Sequence, residues 1–223
     1  MPRPQILRFA AAVLACAAGA ATAQVAPSTS LAEQMRAMIG KPPAAGVAPA
    51  PAPAAAALVI ANSPSQVRQS ATELAQRFPA PNRAAMTKAF EESFAFWQKL
   101  ETQLGLAPND VGAATAAFIA GNYAAFMQQQ VPDEDFKALV SQMQGLLARN
   151  PGVSQASPAA KRSMYEQLAM VGTFMAVYRE QLRQKPNPAE EVNFRNAAKA
   201  NLEAGLGLAV ERIQIGPQGL VVR

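Results

Sequence analysis

A glutamate and a serine lie side by side in an apolar helical stretch, in the run Phe90-Glu91-Glu92-Ser93-Phe94. A glutamate buried among apolar side chains can act as acid and base in glycoside cleavage, because burial raises its pKa. Glu92 is therefore a candidate catalytic residue of an envelope glycan-cleaving enzyme. The alternative is that Glu91 and Glu92 belong to a solvated helix face, which is the commoner role of such glutamates.

A lysine, a tyrosine and a glutamate follow one another at one-turn spacing in the long helical stretch that begins near residue 157. Lys161 and Tyr165 share a face of this helix, and Glu166 lies beside them. A Tyr-Lys or Glu-Lys pair can transfer a proton. Pairing between neighbouring side chains on the helix surface is the alternative, and it is far more frequent.

Three polar residues interrupt a helix that is otherwise apolar nearly all round. These are Thr115, Asn122 and Tyr123. Buried polar groups need hydrogen-bond partners, and a neighbouring helix can supply them. The alternative is that the three side chains line a pocket, which would make the protein a carrier of a small apolar ligand or lipid.

The residues that most often carry catalysis and metal binding are almost missing. Histidine is absent, and Cys16 is the only cysteine among 223 residues. Ser-His-Asp and Cys-His triads are thereby excluded, and the usual nitrogen and sulfur ligands of zinc are unavailable to the mature chain. We therefore expect no metal, no cofactor and no enzymatic activity. The six polar residues named above, outside the Glu92 run, are expected to contact a ligand or a partner.

The net charge argues against nucleic acid as a partner. The chain has 20 basic and 15 acidic residues. Arg3 and Arg8 lie in the predicted targeting segment, so 18 basic residues would remain against 15 acidic ones, a net charge of +3. There is no run of Lys and Arg and no interleaving of basic with aromatic residues, as nucleic-acid binding would require.

The N-terminal residues have the pattern of an export signal. A basic start and a short apolar stretch precede Ala21-Thr22-Ala23, a small-x-small cleavage site, so residues 1–23 are predicted to be a signal peptide. Lipoprotein processing at Cys16 is a weaker alternative, because Leu14 fits that site poorly. The mature protein is expected in the periplasm or outside the cell. It has no further stretch that could span a membrane.

Hydrophobic periodicity predicts an all-α bundle of about six helices with a short C-terminal hairpin, behind a flexible leader. The leader, residues 24–62, is rich in Pro and Ala and includes a possible short helix at 30–39. The domain itself covers residues 63–223, and its hairpin covers 209–223. The predicted helices are 63–78, 82–104, 111–127, 131–150, 157–183 and 187–206.

Two helices should form the centre of this bundle. The stretch 157–183 has Ser157 as N-cap, Pro158 at the first helical position and the widest apolar stripe. The stretch 111–127 is rich in small residues, and Gly121 is expected to mark the closest helix crossing. Ser63-Pro64 repeats the capping pattern and predicts the start of the first helix of the domain.

Several short motifs of the domain resemble a family of exported bacterial helical domains that has no assigned function. The resemblance covers about Ser63 to the C-terminus. Its motifs are Pro108-Asn109-Asp110-Val111, Asn150-Pro151, Lys161-Arg162, Tyr165-Glu166, Val210-Glu211-Arg212-Ile213 and Gly219-Leu220-Val221. It implies an all-helical core and export, and it implies no activity and no catalytic residue.

These observations favour a binding role over a catalytic one. The export signal, the Pro/Ala-rich spacer and the missing catalytic chemistry predict a non-enzymatic protein-interaction module of the bacterial envelope. The expected partner is another envelope or secreted protein. The apolar-ligand carrier and the Glu92 enzyme remain as alternatives.

Overall fold

The computed structural model describes residues 35–37, Ile39, residues 58–61 and residues 63–223. The predicted signal peptide at 1–23 and Cys16 lie outside these ranges. Most of the predicted leader at 24–62 also lies outside them. Within the possible helix at 30–39, the described residues 35–37 and Ile39 are helical.

The described chain is a bundle of α-helices that ends in a two-stranded antiparallel hairpin, and this confirms the predicted fold class. The elements are α1 Val67–Ala75, α2 Arg83–Leu104, α3 Val111–Met127, α4 Asp133–Ala148, α5 Pro151–Ser154, α6 Pro158–Gln184, α7 Pro188–Leu206, β1 Ile213–Gly216 and β2 Gly219–Val222. Short 3-10 turns occur at Ala80–Asn82 and Val210–Arg212. The short α5 was not expected. Asn150-Pro151 predicts the end of α4, but in the structure Asn150 also caps a new helical turn that begins at Pro151.

Several helix ends lie where side-chain chemistry predicts them. The Asp110 carboxylate accepts hydrogen bonds from the N–H groups of Gly112 and Ala113, at 2.6 and 3.2 Å, and so caps α3. Ser157 caps α6 by accepting from the N–H of Ala160 at 3.2 Å. Gly105 ends α2 in the left-handed conformation, with φ of 68°, which glycine adopts at little cost. Capping thus fixes the two helices that hold the centre of the fold.

Helix α6 is the central element of the bundle. It packs against α3, α2 and α1, and α3 packs in turn against α4 and α7. Fifteen of the seventeen residues of α3 are buried, as its uniformly apolar sequence predicts. The prediction that the stretch after Ser157 is the buried centre of the fold is confirmed.

The closest approach between two helices is made by glycines on α3 and α6. A Cβ added to Gly121 would overlap the carbonyl group of Gly172, and a Cβ added to Gly172 would overlap the carbonyl group of Ala117. The expected role of Gly121 at the tightest crossing is confirmed. Its counterpart Gly172 was not anticipated.

The hairpin packs on α4 and is attached to it by one amide side chain. Ile213 pairs with Val222 and Ile215 with Leu220. Gln142 of α4 donates to the carbonyl of Leu220 at 2.8 Å and accepts from its N–H at 2.7 Å. The strands begin at Ile213, after the 3-10 turn, and not at 209 as predicted.

The hydrophobic core includes residues that precede position 63. Leu58 and Ile60 are buried against the bundle, and Met35 and Ile39 belong to the same core. The N–H of Ile60 donates to the carbonyl of Asn109 at 3.1 Å, and the N–H of Val111 donates to the carbonyl of Leu58 at 3.2 Å. Residues 58–60 thus form a short antiparallel contact with the start of α3.

Among the described residues, no helix combines the length and the apolar character that a bilayer-spanning segment requires.

Candidate functional site

The three neighbouring residues proposed for proton transfer lie on α6 but contact three different parts of the fold. Lys161 donates to the carbonyl of Ser154 at 2.8 Å, at the end of α5. Tyr165 donates to Glu101 and Glu166 binds the start of α1, as described below. The structure therefore does not bring these side chains together as one reacting group.

Glu166 caps the N-terminus of α1 from a distant part of the sequence. Its fully buried carboxylate accepts hydrogen bonds from the N–H of Gln66 at 2.9 Å, from Ser65 at 3.2 Å and from Ser70 at 2.8 Å. A negative charge at this end of a helix also complements the helix dipole. The predicted cap at Ser63 is therefore wrong: α1 begins at Val67, and Glu166 supplies the acceptor that a local cap would have provided.

Tyr165 and Glu101 form a short hydrogen bond in the interior between α6 and α2. The Tyr165 hydroxyl donates to Oε2 of Glu101 at 2.6 Å, and neither side chain is more than 3% exposed. The Tyr165 ring meets Phe94 edge to face, with centroids 5.6 Å apart. Arg162 lies over the same ring at 5.8 Å. A carboxyl group is thus held in the interior, away from water.

Burial raises the pKa of Glu101 to about 7, because the ionised form loses its hydration. The Tyr165 hydrogen bond opposes this rise, the nearby Asp110 charge adds to it, and the Trp97 indole N–H and the backbone N–H of Asn109 oppose it weakly. Glu101 is consequently part-protonated near neutral pH. Burial and the Glu101 carboxylate both raise the pKa of Tyr165, so its hydroxyl remains a donor.

Asp110 connects three segments beside this pair. One carboxylate oxygen caps α3, and the other accepts from Gln144 of α4 at 2.5 Å. Burial raises the pKa of Asp110, while Gln144 and the N–H groups of α3 lower it. The Asp110 backbone also forms the antiparallel bridge to Val59. The side chain therefore holds the start of α3 in register with α4 and with residues 58–60.

Asn109 and Arg162 complete what we call the polar cluster, formed by Glu101, Asn109, Asp110, Arg162 and Tyr165. Asn109 has a positive φ of 62°, which asparagine tolerates better than most residues. Arg162 donates to the Asn109 side-chain oxygen at 2.6 Å and to the carbonyl of Ser63 at 3.1 Å. Oε1 of Glu101 and Nε of Arg162 make no hydrogen bond within the described part of the chain. The polar cluster can therefore change its protonation and its hydrogen bonding.

Sequence reasoning missed Glu101 as a buried group, although a signal was present. Glu101 follows Trp97 by four residues and Phe94 by seven, and both are buried. The periodicity places position 101 on the same face. A charged residue on an apolar helix face is the signal that could have identified it.

The three polar residues of α3 have different surroundings. Thr115 donates to the carbonyl of Val111 at 2.7 Å. Asn122 donates to the carbonyl of Phe118 at 2.8 Å and accepts from Asn201 of α7 at 2.8 Å. Tyr123 is buried, with 7% of its surface exposed. Thr115 and Asn122 thus make structural hydrogen bonds, within α3 and to α7, which is the first of the two roles predicted from the sequence.

Glu92 lies on the outer side of α2. Its carboxylate is 3.8 Å from the ammonium of Lys88, one turn away, and its side chain is 29% exposed. The adjacent Ser93 is buried, and its hydroxyl donates to the carbonyl of Ala89 at 2.7 Å. The two residues thus occupy different environments and do not form a Glu-Ser pair.

The helical residues of the leader dock on the C-terminal end of α7, at a place that we call the leader groove: Asn150, Gly205 and Gly207. Met35 is fully buried, and a Cβ added to Gly205 would lie 2.9 Å from its terminal methyl carbon. Arg36 lies over Gly207, which ends α7 with φ of 67°. The site exists because glycine leaves room there for a side chain from another segment.

A second contact fixes the other side of the docked residues. Asn150 donates from its side-chain amide to the carbonyl of Ala37 at 2.8 Å. Ile39 is 6% exposed and follows Met35 by four residues, so both fall on one helix face. The groove thus accepts the Met35 side chain and the carbonyl of Ala37, and Ile39 is buried one turn further on.

Among the described residues there is no group of three or more His, Cys, Asp or Glu side chains placed to hold a metal ion.

A family model matches residues 2–223, which is nearly the whole chain. The chain belongs to DUF6683, a family of unknown function. The DUF6683 match is wider than the resemblance expected from the motifs, which began at Ser63. No curated protein and no solved structure matches the chain significantly.

Proposed function

We propose that this DUF6683 protein is an exported, non-enzymatic interaction module that binds a short amphipathic helix of another envelope or secreted protein. The observation that carries the proposal is the packing of Met35 on Gly205 at the end of α7, with Ile39 buried one turn further on. A binding surface for a helical segment is therefore already in use within the chain. Binding of a helix through apolar side chains spaced four residues apart is a common mode of protein recognition.

The chemistry of the leader groove defines the segment that it would accept. Gly205 leaves space for a long flexible side chain, and methionine fits irregular apolar spaces well. A basic residue after it, as Arg36, lies at the negative end of the α7 dipole. Asn150 binds a backbone carbonyl. We therefore infer a partner helix with Met or Leu, a basic residue next to it and a second apolar residue four positions on.

The contacts of the candidate catalytic residues support binding over catalysis. Tyr165 and Glu166 each connect α6 to another helix. Thr115 and Asn122 make hydrogen bonds within the core, which gives the apolar-ligand carrier little support. Glu92 pairs with Lys88 on the helix surface, which gives the glycan-cleaving enzyme little support.

Binding of a peptide to the emptied leader groove tests the proposal. A double variant, Met35→Asp with Ile39→Asp, should vacate the groove of the full chain. A labelled peptide of residues 30–40 should then bind with a Kd in the micromolar range, as measured by fluorescence polarisation. Adding Gly205→Leu to the double variant should abolish binding by filling the groove. Equal binding with and without Gly205→Leu would place recognition elsewhere.

Export and the partner need separate measurements. N-terminal sequencing of protein from its own host should begin at Gln24. The Met35→Asp and Ile39→Asp double variant should bind a partner from an envelope extract, and the same variant with Gly205→Leu should not. That partner should contain the inferred helix. Circular dichroism must show that both variants keep the helix content of the wild type. Peptidoglycan digestion by wild type and Glu92→Gln should be absent in both.

A further inference from the structure

We propose that the Glu101 carboxyl is an acid-dependent latch for residues 58–60, so that its ionisation loosens their pairing with the start of α3. This inference goes beyond the proposed function and does not depend on the leader groove. It concerns the polar cluster, which the binding role leaves unexplained.

The loop that carries Asn109 and Asp110 lies between Glu101 and residues 58–60. On one side of the loop, the backbone N–H of Asn109 and the carboxylate of Asp110 lie near Glu101. On the other side, the carbonyl of Asn109 accepts from Ile60, and the N–H of Val111 donates to Leu58. Movement of this loop therefore acts on both sides at once.

Ionisation of Glu101 places a second carboxylate next to Asp110 in the interior. Two like charges in a medium of low polarity repel strongly, and the buried charge also lacks hydration. The charged and titratable side chains around Glu101 are Tyr165 and Arg162 from α6 and Asp110 from the start of α3. The nearby uncharged groups are Trp97 of α2 and Gln144 of α4.

Within the described part of the chain, Arg162 forms no ion pair with Glu101. Its two terminal nitrogens already bind Asn109 and the carbonyl of Ser63. Residues 58–61 carry no charged side chain. The strain is relieved when the loop carrying Asn109 and Asp110 moves towards water, where Asp110 regains hydration. Because that movement shifts the backbone at 109–111, the two hydrogen bonds to residues 58–60 weaken.

The segment at 58–60 is a weak enough element to respond. Two backbone hydrogen bonds and the burial of Leu58 and Ile60 hold it, while Val59 is 36% exposed. Short elements with few contacts open locally before the rest of the fold does. Opening of this segment is thus the expected first response to the buried charge.

Two measurements on the full chain test the latch. Trp97 is the single tryptophan and lies one turn from Glu101, so its fluorescence reports ionisation. We expect a transition with a midpoint near pH 7 in the wild type and none in Glu101→Gln. Amide exchange of Ile60 and Val111 is then compared between the two proteins at equal pH, which cancels the intrinsic pH effect. Exchange should be equal at pH 5.5 and about tenfold faster in the wild type at pH 8.5.

Control amides and two further variants make each outcome decisive. The amide of Val221 in β2, which is not part of the polar cluster, should exchange equally in both proteins. Asp110→Asn keeps the cap and removes the like charge, so it should lower the midpoint, and Tyr165→Phe should raise it. If Glu101→Gln does not fold, the pH midpoints of Asp110→Asn and Tyr165→Phe are compared with that of the wild type instead. A fluorescence transition without a change at Ile60 and Val111 would overturn the latch, as would the absence of any transition.

Discussion

Gly121 on α3 and Gly172 on α6 face each other so closely that neither position has room for a Cβ. The backbones of the two central helices are in direct contact there. The atoms that a new methyl group would meet belong to the backbone, so side-chain rotation cannot relieve the overlap.

We expect Gly121→Ala and Gly172→Ala each to lower the free energy of unfolding by about 3 kcal/mol, the upper part of the range for overpacked cores. Urea unfolding followed by circular dichroism measures the change. Gly216→Ala is the matched control, because no atom lies within 4 Å of its added Cβ. Its stability should stay within about 0.5 kcal/mol of the wild type.

Glu101→Gln should change how stability depends on pH. The folded pKa of about 7 lies above the ordinary value of 4.5, so the folded state binds more protons than the unfolded state between these values. Wild-type stability should therefore fall as pH rises from 4.5 to 7 and lose about 3 kcal/mol at most, relative to the variant. Unfolding midpoints at pH 4.5, 6 and 8 measure it. Parallel pH profiles for the two proteins would contradict the assignment.

Gln142→Ala should detach the hairpin from α4. The substitution leaves the buried N–H and carbonyl of Leu220 without their partners, and this should cost about 2–4 kcal/mol. Thermal unfolding and amide exchange of Leu220 report the loss. Ser141→Ala, at an exposed position next to it, should have little effect. An unchanged Leu220 amide in Gln142→Ala would show that the side-chain bonds do not hold the hairpin.

Glu166→Gln should destabilise the N-terminus of α1 without creating a cavity, because the two side chains have nearly the same size. The amide keeps one acceptor oxygen, but it loses the charge that strengthens the bonds to Gln66 and Ser70, at a cost of about 1–3 kcal/mol. Faster amide exchange in α1 than in α7 should accompany the loss. Glu91→Gln is the control, because Glu91 forms a long ion pair, 3.8 Å, with the exposed Arg68. If both variants were equally stable, Glu166 would not be the cap of α1.

The sequence predicted the elements whose signals are local. Asp110, Ser157 and Gly105 mark helix ends because capping and the left-handed conformation depend on neighbouring backbone. The apolar pattern of α3 predicted its buried position, and Gly121 predicted the close crossing. Helix content and the hairpin follow from such short-range rules.

The candidate site could not be predicted in the same way, because its contacts join distant segments. The bond between Tyr165 and Glu101 spans 64 positions, and the bond between Glu166 and Gln66 spans 100. Ser63 was expected to cap α1 because Ser63-Pro64 has the local capping pattern. No local pattern shows that Glu166 of α6 supplies the cap. Glu101 was overlooked because its partner Tyr165 lies on another helix, 64 positions away. The packing of Met35 on Gly205 likewise depends on an arrangement that only the folded chain reveals.

The cap that Glu166 provides has a consequence during synthesis. The ribosome makes Gln66 100 residues before Glu166. At about 5–20 residues per second, the interval is roughly 5–20 s. Until then the first helix of the bundle lacks the carboxylate that caps it. Helix α1 thus completes its N-terminal hydrogen bonds only when α6 is present, and a fragment that ends before residue 166 would lack this cap.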